Sequence, residues 1–286
     1  VNADFPQLFG KTMYLGVGAQ KSGTTWLSGY LAGHPEVYMS ALKEMHFWGN
    51  RNSTAKWPTS AFEKRLVRLQ SSGSKSLSTN NHISALEDRL QMGGNVEDYA
   101  TYFNERVEKQ QAFGEISPAY CKLPVEEFAL IKEHFPDIKI IFLLRNPVDR
   151  LWSQIRFSED AETLGEMEEK IDGAFKRNVY TERSNYVATL EAIRSIFDHE
   201  NMHLEFFERL FQQDSVDRIS HFLGVGAHEG AFNKKRNVSV KMALHPRLRV
   251  SMVQRLEPQY TYVRDLFKGE IPSSWHTDLY SLRDVS

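Results

Sequence analysis

Cysteine is almost absent. Cys121 is the single one in the chain, so no internal disulfide can form and no cysteine-rich zinc site can be built. Long apolar runs are missing as well: nothing approaches the roughly 18 residues of a membrane span, and the first residues lack the order of a secretory signal. Neither sign of charge dominates. Thirty-five Lys and Arg face 37 Asp and Glu, a formal net charge of −2, which gives no reason to expect a nucleic-acid partner. There is no internal repeat, low-complexity tract or convincing linker. What remains is globular: 41% hydrophobic and 25% charged residues, enough for a sizeable core. One domain over 1–286 is expected, with no membrane attachment, in a reducing compartment, the cytoplasm. A chain beginning at Val1 is expected to have lost its initiator methionine or to be a domain of a larger protein.

Met13-Tyr14-Leu15 and Val17 form an apolar run that ends in Gly18-Ala19, before Gln20-Lys21-Ser22-Gly23-Thr24-Thr25-Trp26. Trp26, Leu27, Tyr30 and Leu31 then recur at helical spacing. The pattern reads as strand, tight loop and helix N-terminus, where small residues and exposed N–H groups favour an anion. Lys21 adds a mobile cation, and Ser22, Thr24 and Thr25 add hydroxyl donors. A nucleotide triphosphatase loop carries its lysine after the second glycine. Here Thr24 follows Gly23 and the lysine lies inside the loop, which argues against an ordinary kinase or ATPase.

Further strands are expected at Ala112–Ile116, Ile138–Leu144 and Met202–Phe207, with Val37–Met39 a short apolar segment. IKIIFLL has the continuous apolar run of a buried parallel strand. Helices are expected after Ser60, which has capping-box spacing to Glu63, and over Ile83–Leu90 and Val96–Val107. Others open at Pro124, as a first helical residue, and at Asn146-Pro147, with Asn146 as N-cap. Helical spacing continues over Leu164–Phe175, Ser184–Phe197, Ser215–Leu223 and Pro246–Phe267, the last interrupted near Pro258. Alternating strands and helices imply an α/β, P-loop-type domain with a central parallel sheet between helical layers. The polar stretch 49–94 is expected to be a mobile insertion over the site.

A second anion site follows IKIIFLL. Arg145 emerges at the strand's carboxyl end, where open α/β sheets place ligands, and Ser153 lies two turns into the next helix. A planar guanidinium suits phosphate better than an ammonium does. Two anion sites on one sheet would serve a nucleotide bearing both 5′ and 3′ phosphates.

KSGTTW and RNPVDRLWS together resemble the phosphate segments of sulfotransferases that use 3′-phosphoadenosine 5′-phosphosulfate (PAPS). Lys43-Glu44-Met45-His46-Phe47-Trp48 is similar to the K-E-x-H-F-F segment of the heparan sulfate N- and O-sulfotransferase branch, and Gly114-Glu115-Ile116-Ser117-Pro118 to that branch's later strand segment. The basic run Lys234-Lys235-Arg236 stands where the family has a late PAPS loop, in a form that matches poorly. The resemblance implies a free PAPS donor and no metal. It places Lys21 at the leaving oxygen, Ser22, Gly23, Thr24 and Thr25 on the 5′ phosphate, and Arg145 and Ser153 on the 3′ phosphate. Lys235 and Arg236 would also meet the donor. Trp26 either flanks the adenine or belongs to the core.

The acceptor hydroxyl or amine must lose a proton, and a side-chain base could take it. The branch resemblance puts Glu44 first; His46 is the alternative, since cytosolic small-molecule sulfotransferases use histidine. Glu115 is a positioning partner or substrate contact. The expected acceptor is a glycan, a small metabolite or a carrier-bound intermediate. Two rival functions stand beside this one: a P-loop kinase of small molecules, and a non-catalytic module that keeps the nucleotide fold.

Overall fold

The structure, a computed structural model, describes residues 4–51, 58–158, 163–233 and 243–282. Five strands run β1 (Thr12–Gly18), β2 (Val37–Met39), β3 (Ala112–Ile116), β4 (Lys139–Leu144) and β5 (Met202–Phe206). They form one sheet in the order β2-β3-β1-β4-β5, every neighbouring pair parallel. The helices are α1 (Thr24–Gly33), α2 (Thr59–Ser71), α3 (Leu77–Gln91), α4 (Val96–Asn104), α5 (Val125–His134) and α6 (Pro147–Ser158). After them come α7 (Leu164–Lys176), α8 (Asn178–Thr181), α9 (Tyr186–Arg194), α10 (Gln213–Phe222), α11 (Pro246–Leu266) and α12 (Ser273–Ser281).

Side chains alternate across a strand, so a sheet covered on both faces needs apolar residues at successive positions. β4 does this: Ile140, Phe142 and Leu144 enter the larger core with α4, α5, α6, α9 and α11, while Ile141 and Leu143 enter a smaller one with α1 and α10. Helices on two faces make the three-layer α/β arrangement expected from the alternating pattern. Among the described residues no helix is long and apolar enough to cross a membrane.

Three local expectations fail. Ser60 does not cap α2: it lies inside the helix, which begins at Thr59 after Pro58 and has no side-chain cap. The spacing signal is met instead at Thr163 and Glu166, which close a reciprocal capping box on α7. Pro124 is the cap residue of α5 rather than its first helical one. Pro258 does not interrupt α11, which runs unbroken for 21 residues and buries Leu256, Tyr260 and Val263 around the proline. That burial holds the helix against the cost of one missing N–H bond. Residues 49–94 contribute α2 and α3, which pack on each other. Arg89 of α3 donates to the carbonyls of Met45 (2.8 Å) and His46 (3.2 Å).

Candidate active site

Parallel strands carry their connecting loops out at the same end, so the carboxyl ends of β1 to β5 gather the segments singled out in the sequence. β1 delivers the loop 19–23, β2 the segment 40–48, β3 Ser117, β4 Arg145, and β5 Phe207 and Glu208.

The loop after β1 turns into α1 through Gly23, whose φ of 88° is left-handed. A Cβ there would come within 2.7 Å of the end of the Leu210 side chain, so a substitution would strain the backbone and have to displace Leu210. α1 opens with no side-chain cap and no acidic residue in its first turn, leaving N–H groups and dipole for an external anion. Ser22 is buried, and its Oγ has no hydrogen-bond partner among the described residues. Thr24 is buried and Thr25 half-buried in the same turn. Trp26 stands in the smaller core, stacked on Tyr30 (5.9 Å) and on Phe232 (5.7 Å).

Three arginines hold this loop from the β4 side. Arg145 donates to the carbonyl of Lys21 at 2.7 Å, Arg150 to that of Gln20 at 3.5 Å, and Arg183 to the side chain of Gln20. Arg150 is completely buried and also bonds Ser184, Gln154 and the Tyr180 carbonyl, all neutral acceptors. Burial pushes its pKa down to about 10. Arg145 lies over the Phe207 ring (4.4 Å), and its buried Nε has no partner among the described residues. Burial also lowers the Lys21 ammonium, with Arg145, Arg156 and Arg150 adding to the effect, while its Nζ sits over Phe157 at 4.2 Å. Neither Lys21 nor Arg145 has a carboxylate within ion-pair distance among the described residues. Asp149 and Glu208 act on Arg145 without pairing with it, while the charges acting on Lys21 are all arginines, so an anion placed beside Lys21 would be stabilised.

The strand-to-helix turn carrying Arg145 is fixed by Asn146. Its Oδ1 caps α6 at Asp149 N (3.1 Å), its N–H reaches Glu208 (2.8 Å), and its Nδ2 reaches Asp278 of α12 (2.7 Å). Arg249 of α11 ties Asp278 to Asp149. Ser153, on the second turn of α6, is buried.

On the β2 and β3 side, Lys43 bonds Glu44 at 2.6 Å, and His46 Nε2 lies 3.5 Å from the other Glu44 oxygen. Burial raises the Glu44 pKa, but His46 and Lys43 outweigh it and hold the carboxyl at about 2. Beneath them Glu115 is completely buried and accepts from Ser117 Oγ (2.5 Å), Tyr120 OH (2.6 Å), Tyr99 OH (3.2 Å) and Met45 N (3.2 Å). Burial pushes its pKa up against those donors. Tyr120 in turn accepts from Phe47 N and Ser117 from His46 N. Glu115 therefore serves as the anchor of segment 44–48, not as a solvent-facing acid.

Among the described residues four non-glycines adopt positive φ: Lys21 (69°), Glu44 (63°), His46 (50°) and Lys268. Such conformations cost on the order of 1–3 kcal/mol each and persist where surrounding structure enforces them. Three of the four are the residues the sequence marks for catalysis. Lys235 and Arg236 lie outside the described residues. No group of three or more His, Cys, Asp or Glu among the described residues is placed to hold a metal. Sequence reasoning assigned no role to Arg150, Arg183 or Glu208. Arg150 stands inside RNPVDRLWS and could have been singled out there; the other two carry no motif.

The five-stranded parallel sheet between helical layers, with the loop 19–23 joining its central strand to α1, defines the class, a P-loop-like α/β fold. The sequence matches the sulfotransferase family over residues 15–229, more than half of its length, and the chain belongs to that family. A sulfotransferase from Alicyclobacillus acidocaldarius is similar in structure, with a TM-score of 0.62, 23% identity, and 93% of this chain and 99% of the other covered. The sulfotransferase domain of the Synechococcus PCC 7002 olefin synthase matches at a TM-score of 0.50 and 16% identity, covering 92% and 95%. No curated protein sequence matches the chain.

Proposed function

We propose that the chain transfers a sulfuryl group from PAPS to a hydroxyl or amine of an acceptor, with motifs closest to the heparan sulfate N- and O-sulfotransferase branch. One observation carries the reading. Ser22 Oγ and Arg145 Nε are buried without partners at adjoining strand ends, and Lys21 stands beside them with no counter-charge. Unmade buried donors are costly, and two phosphates would complete them.

The donor supplies an activated sulfuryl group. Ser22, Gly23, Thr24 and Thr25 hold its 5′ phosphate, Arg145 and Ser153 its 3′ phosphate, and Lys21 neutralises the charge that grows on the leaving oxygen. Trp26 and Phe232 offer a stacked aromatic wall near the start of α1. Glu44 takes the acceptor proton. His46 is almost wholly enclosed, with 8% of its side chain exposed, whereas 39% of Glu44 is open to an incoming acceptor. Lys43 and His46 then orient Glu44. A carboxyl held at about 2 is fully ionised at neutral pH but a weak base, so its contribution belongs at the low end of general-base catalysis, roughly a hundredfold.

A melting-temperature comparison of PAPS, the desulfonated product PAP and ATP, followed by a PAPS-dependent acceptor screen read by mass spectrometry, tests this. PAP and PAPS should raise the melting temperature and ATP should not. Stabilisation by ATP with magnesium alone would instead support the kinase reading.

A further inference from the structure

Resting on the sulfotransferase reading, we propose that Arg89 is a positioning residue for the proton-accepting step: from α3 it fixes the backbone of His46 and, through that ring, the aim of Glu44. Segment 44–48 is held from two directions. On the sheet side its N–H groups are taken up in order, Glu44 N by the Ile116 carbonyl (3.1 Å), Met45 N by Glu115 (3.2 Å), His46 N by Ser117 Oγ (3.4 Å) and Phe47 N by Tyr120 OH (2.9 Å). On the helical side Arg89 donates to two successive carbonyls, Met45 through Nε (2.8 Å) and His46 through Nη2 (3.2 Å). A rigid fork with donors in one plane suits that pair of acceptors; the ammonium of a lysine is a single point.

A peptide unit is planar, so one bond at its C=O and another at its N–H fix the whole plane. The unit from Met45 to His46 is held by Arg89 at one end and Ser117 at the other. The next unit, from His46 to Phe47, is held by Arg89 and Tyr120. These are the two planes that flank the His46 Cα, and His46 is one of the residues with left-handed backbone, at a φ of 50°. Such a conformation persists where surrounding bonds over-determine it. With the planes fixed, His46 Nε2 lies 3.5 Å from one Glu44 oxygen while Lys43 holds the other at 2.6 Å. Arg89 itself is seated for this task. Among the described residues no carboxylate lies within ion-pair distance of it, and its guanidinium lies over the buried rings of Phe47 (5.9 Å) and of Phe62 on α2 (5.7 Å). Burial lowers its pKa, and Tyr120, Glu115 and Tyr99 across the segment oppose that. The pair α2 and α3 thereby joins the sheet in building the base, with Arg89 as the link.

The first readout needs neither donor nor acceptor. With glutamate labelled at its carboxyl carbon, NMR follows the Glu44 signal through an acid titration, the signal being assigned by its loss in Glu44→Gln. The parent carboxyl is held at about 2; in Arg89→Met it should move up towards the usual carboxylate range, because the bond from His46 is released. Calorimetric PAP affinity should stay close to that of the parent. Single-turnover transfer from PAPS, on whichever of glucosamine, 4-methylphenol and 1-decanol the parent sulfates, should fall roughly ten- to hundredfold, up to the whole worth of a general base. Arg89→Lys should fall between. In the Glu44→Gln background Arg89→Met should cost nothing further, as a residue acting through that carboxylate must; a merely structural residue would cost the same in both. An unchanged titration or an unchanged rate in folded Arg89→Met overturns the proposal. So does an equal loss in the Glu44→Gln background, or a loss of PAP affinity that accounts for the rate. If Arg89→Met does not fold, Arg89→Lys carries the same comparisons. Failure of PAP to bind would sink the sulfotransferase reading instead, while the carboxyl titration on the ligand-free protein still decides the role of Arg89.

Discussion

The loop after β1 and the segment after β2 meet at the same end of the sheet but are built in opposite ways. Around Lys21 the protein holds the backbone and leaves the functional groups open: arginines bond the carbonyls of Gln20 and Lys21, while Ser22 Oγ and Arg145 Nε have no partner among the described residues. Around Glu44 it ties the functional groups themselves, Lys43 and His46 to the two carboxyl oxygens, over the buried anchor Glu115. The difference separates two tasks. On the proposed function, the first site would complete its unmade bonds with a multiply charged nucleotide, and the second would spend its bonds inside the protein to keep one carboxylate aimed and ionised.

The contrast can be broken from either side. Lys21→Ala should lower turnover roughly a hundred- to thousandfold while leaving PAP affinity close to that of the parent, because the cation acts on charge that develops during transfer. Single-turnover rates beside calorimetric PAP titrations check this, and normal turnover would remove Lys21 from the mechanism. Glu44→Gln keeps the shape and should cost roughly a hundredfold in turnover, with His46→Asn costing less. The reverse ranking, with both variants folded, would hand the proton to His46.

Glu115→Ala strips the acceptor from three hydroxyls and the Met45 N–H, and should cost roughly 2–3 kcal/mol of stability. A denaturant series would show it, with turnover falling and PAP affinity retained. The smallest effect is in pH. The Glu44 carboxyl is held at about 2, below its usual 4.5, so its contribution to stability is present above about pH 4.5 and is lost as pH falls towards 2. In Glu44→Gln the melting temperature should fall less steeply over that acid range.

Much of this was legible in the sequence because it rests on local patterns. The apolar run IKIIFLL is β4, KSGTTW opens α1 through a glycine that geometry requires, and Asn146 caps α6 as its position implied. The rest depends on distant partners. A strand would have put Glu44 and His46 on one face, and a helix would have put them about 200° apart. Both instead adopt left-handed backbone and pair directly, which the buried Glu115 network from another strand imposes. Arg183 and Glu208 reach the site only through tertiary packing, and nothing in their neighbours' identities announces it. Pro258 reads as a breaker because the packing that holds α11 together is not local.

The central claim is that two anion sites at adjoining strand ends grip one nucleotide. Calorimetric titration with PAP and with adenosine 5′-monophosphate, which lacks the 3′ phosphate, tests it most directly, on the parent and on Arg145→Ala and Ser153→Ala. A charge-assisted hydrogen bond is worth roughly 1.5–3 kcal/mol, so Arg145→Ala should weaken PAP about ten- to hundredfold, with Ser153→Ala losing less. The monophosphate should hardly be affected by either change. Equal losses for both ligands, or a parent protein that does not distinguish them, would contradict the account.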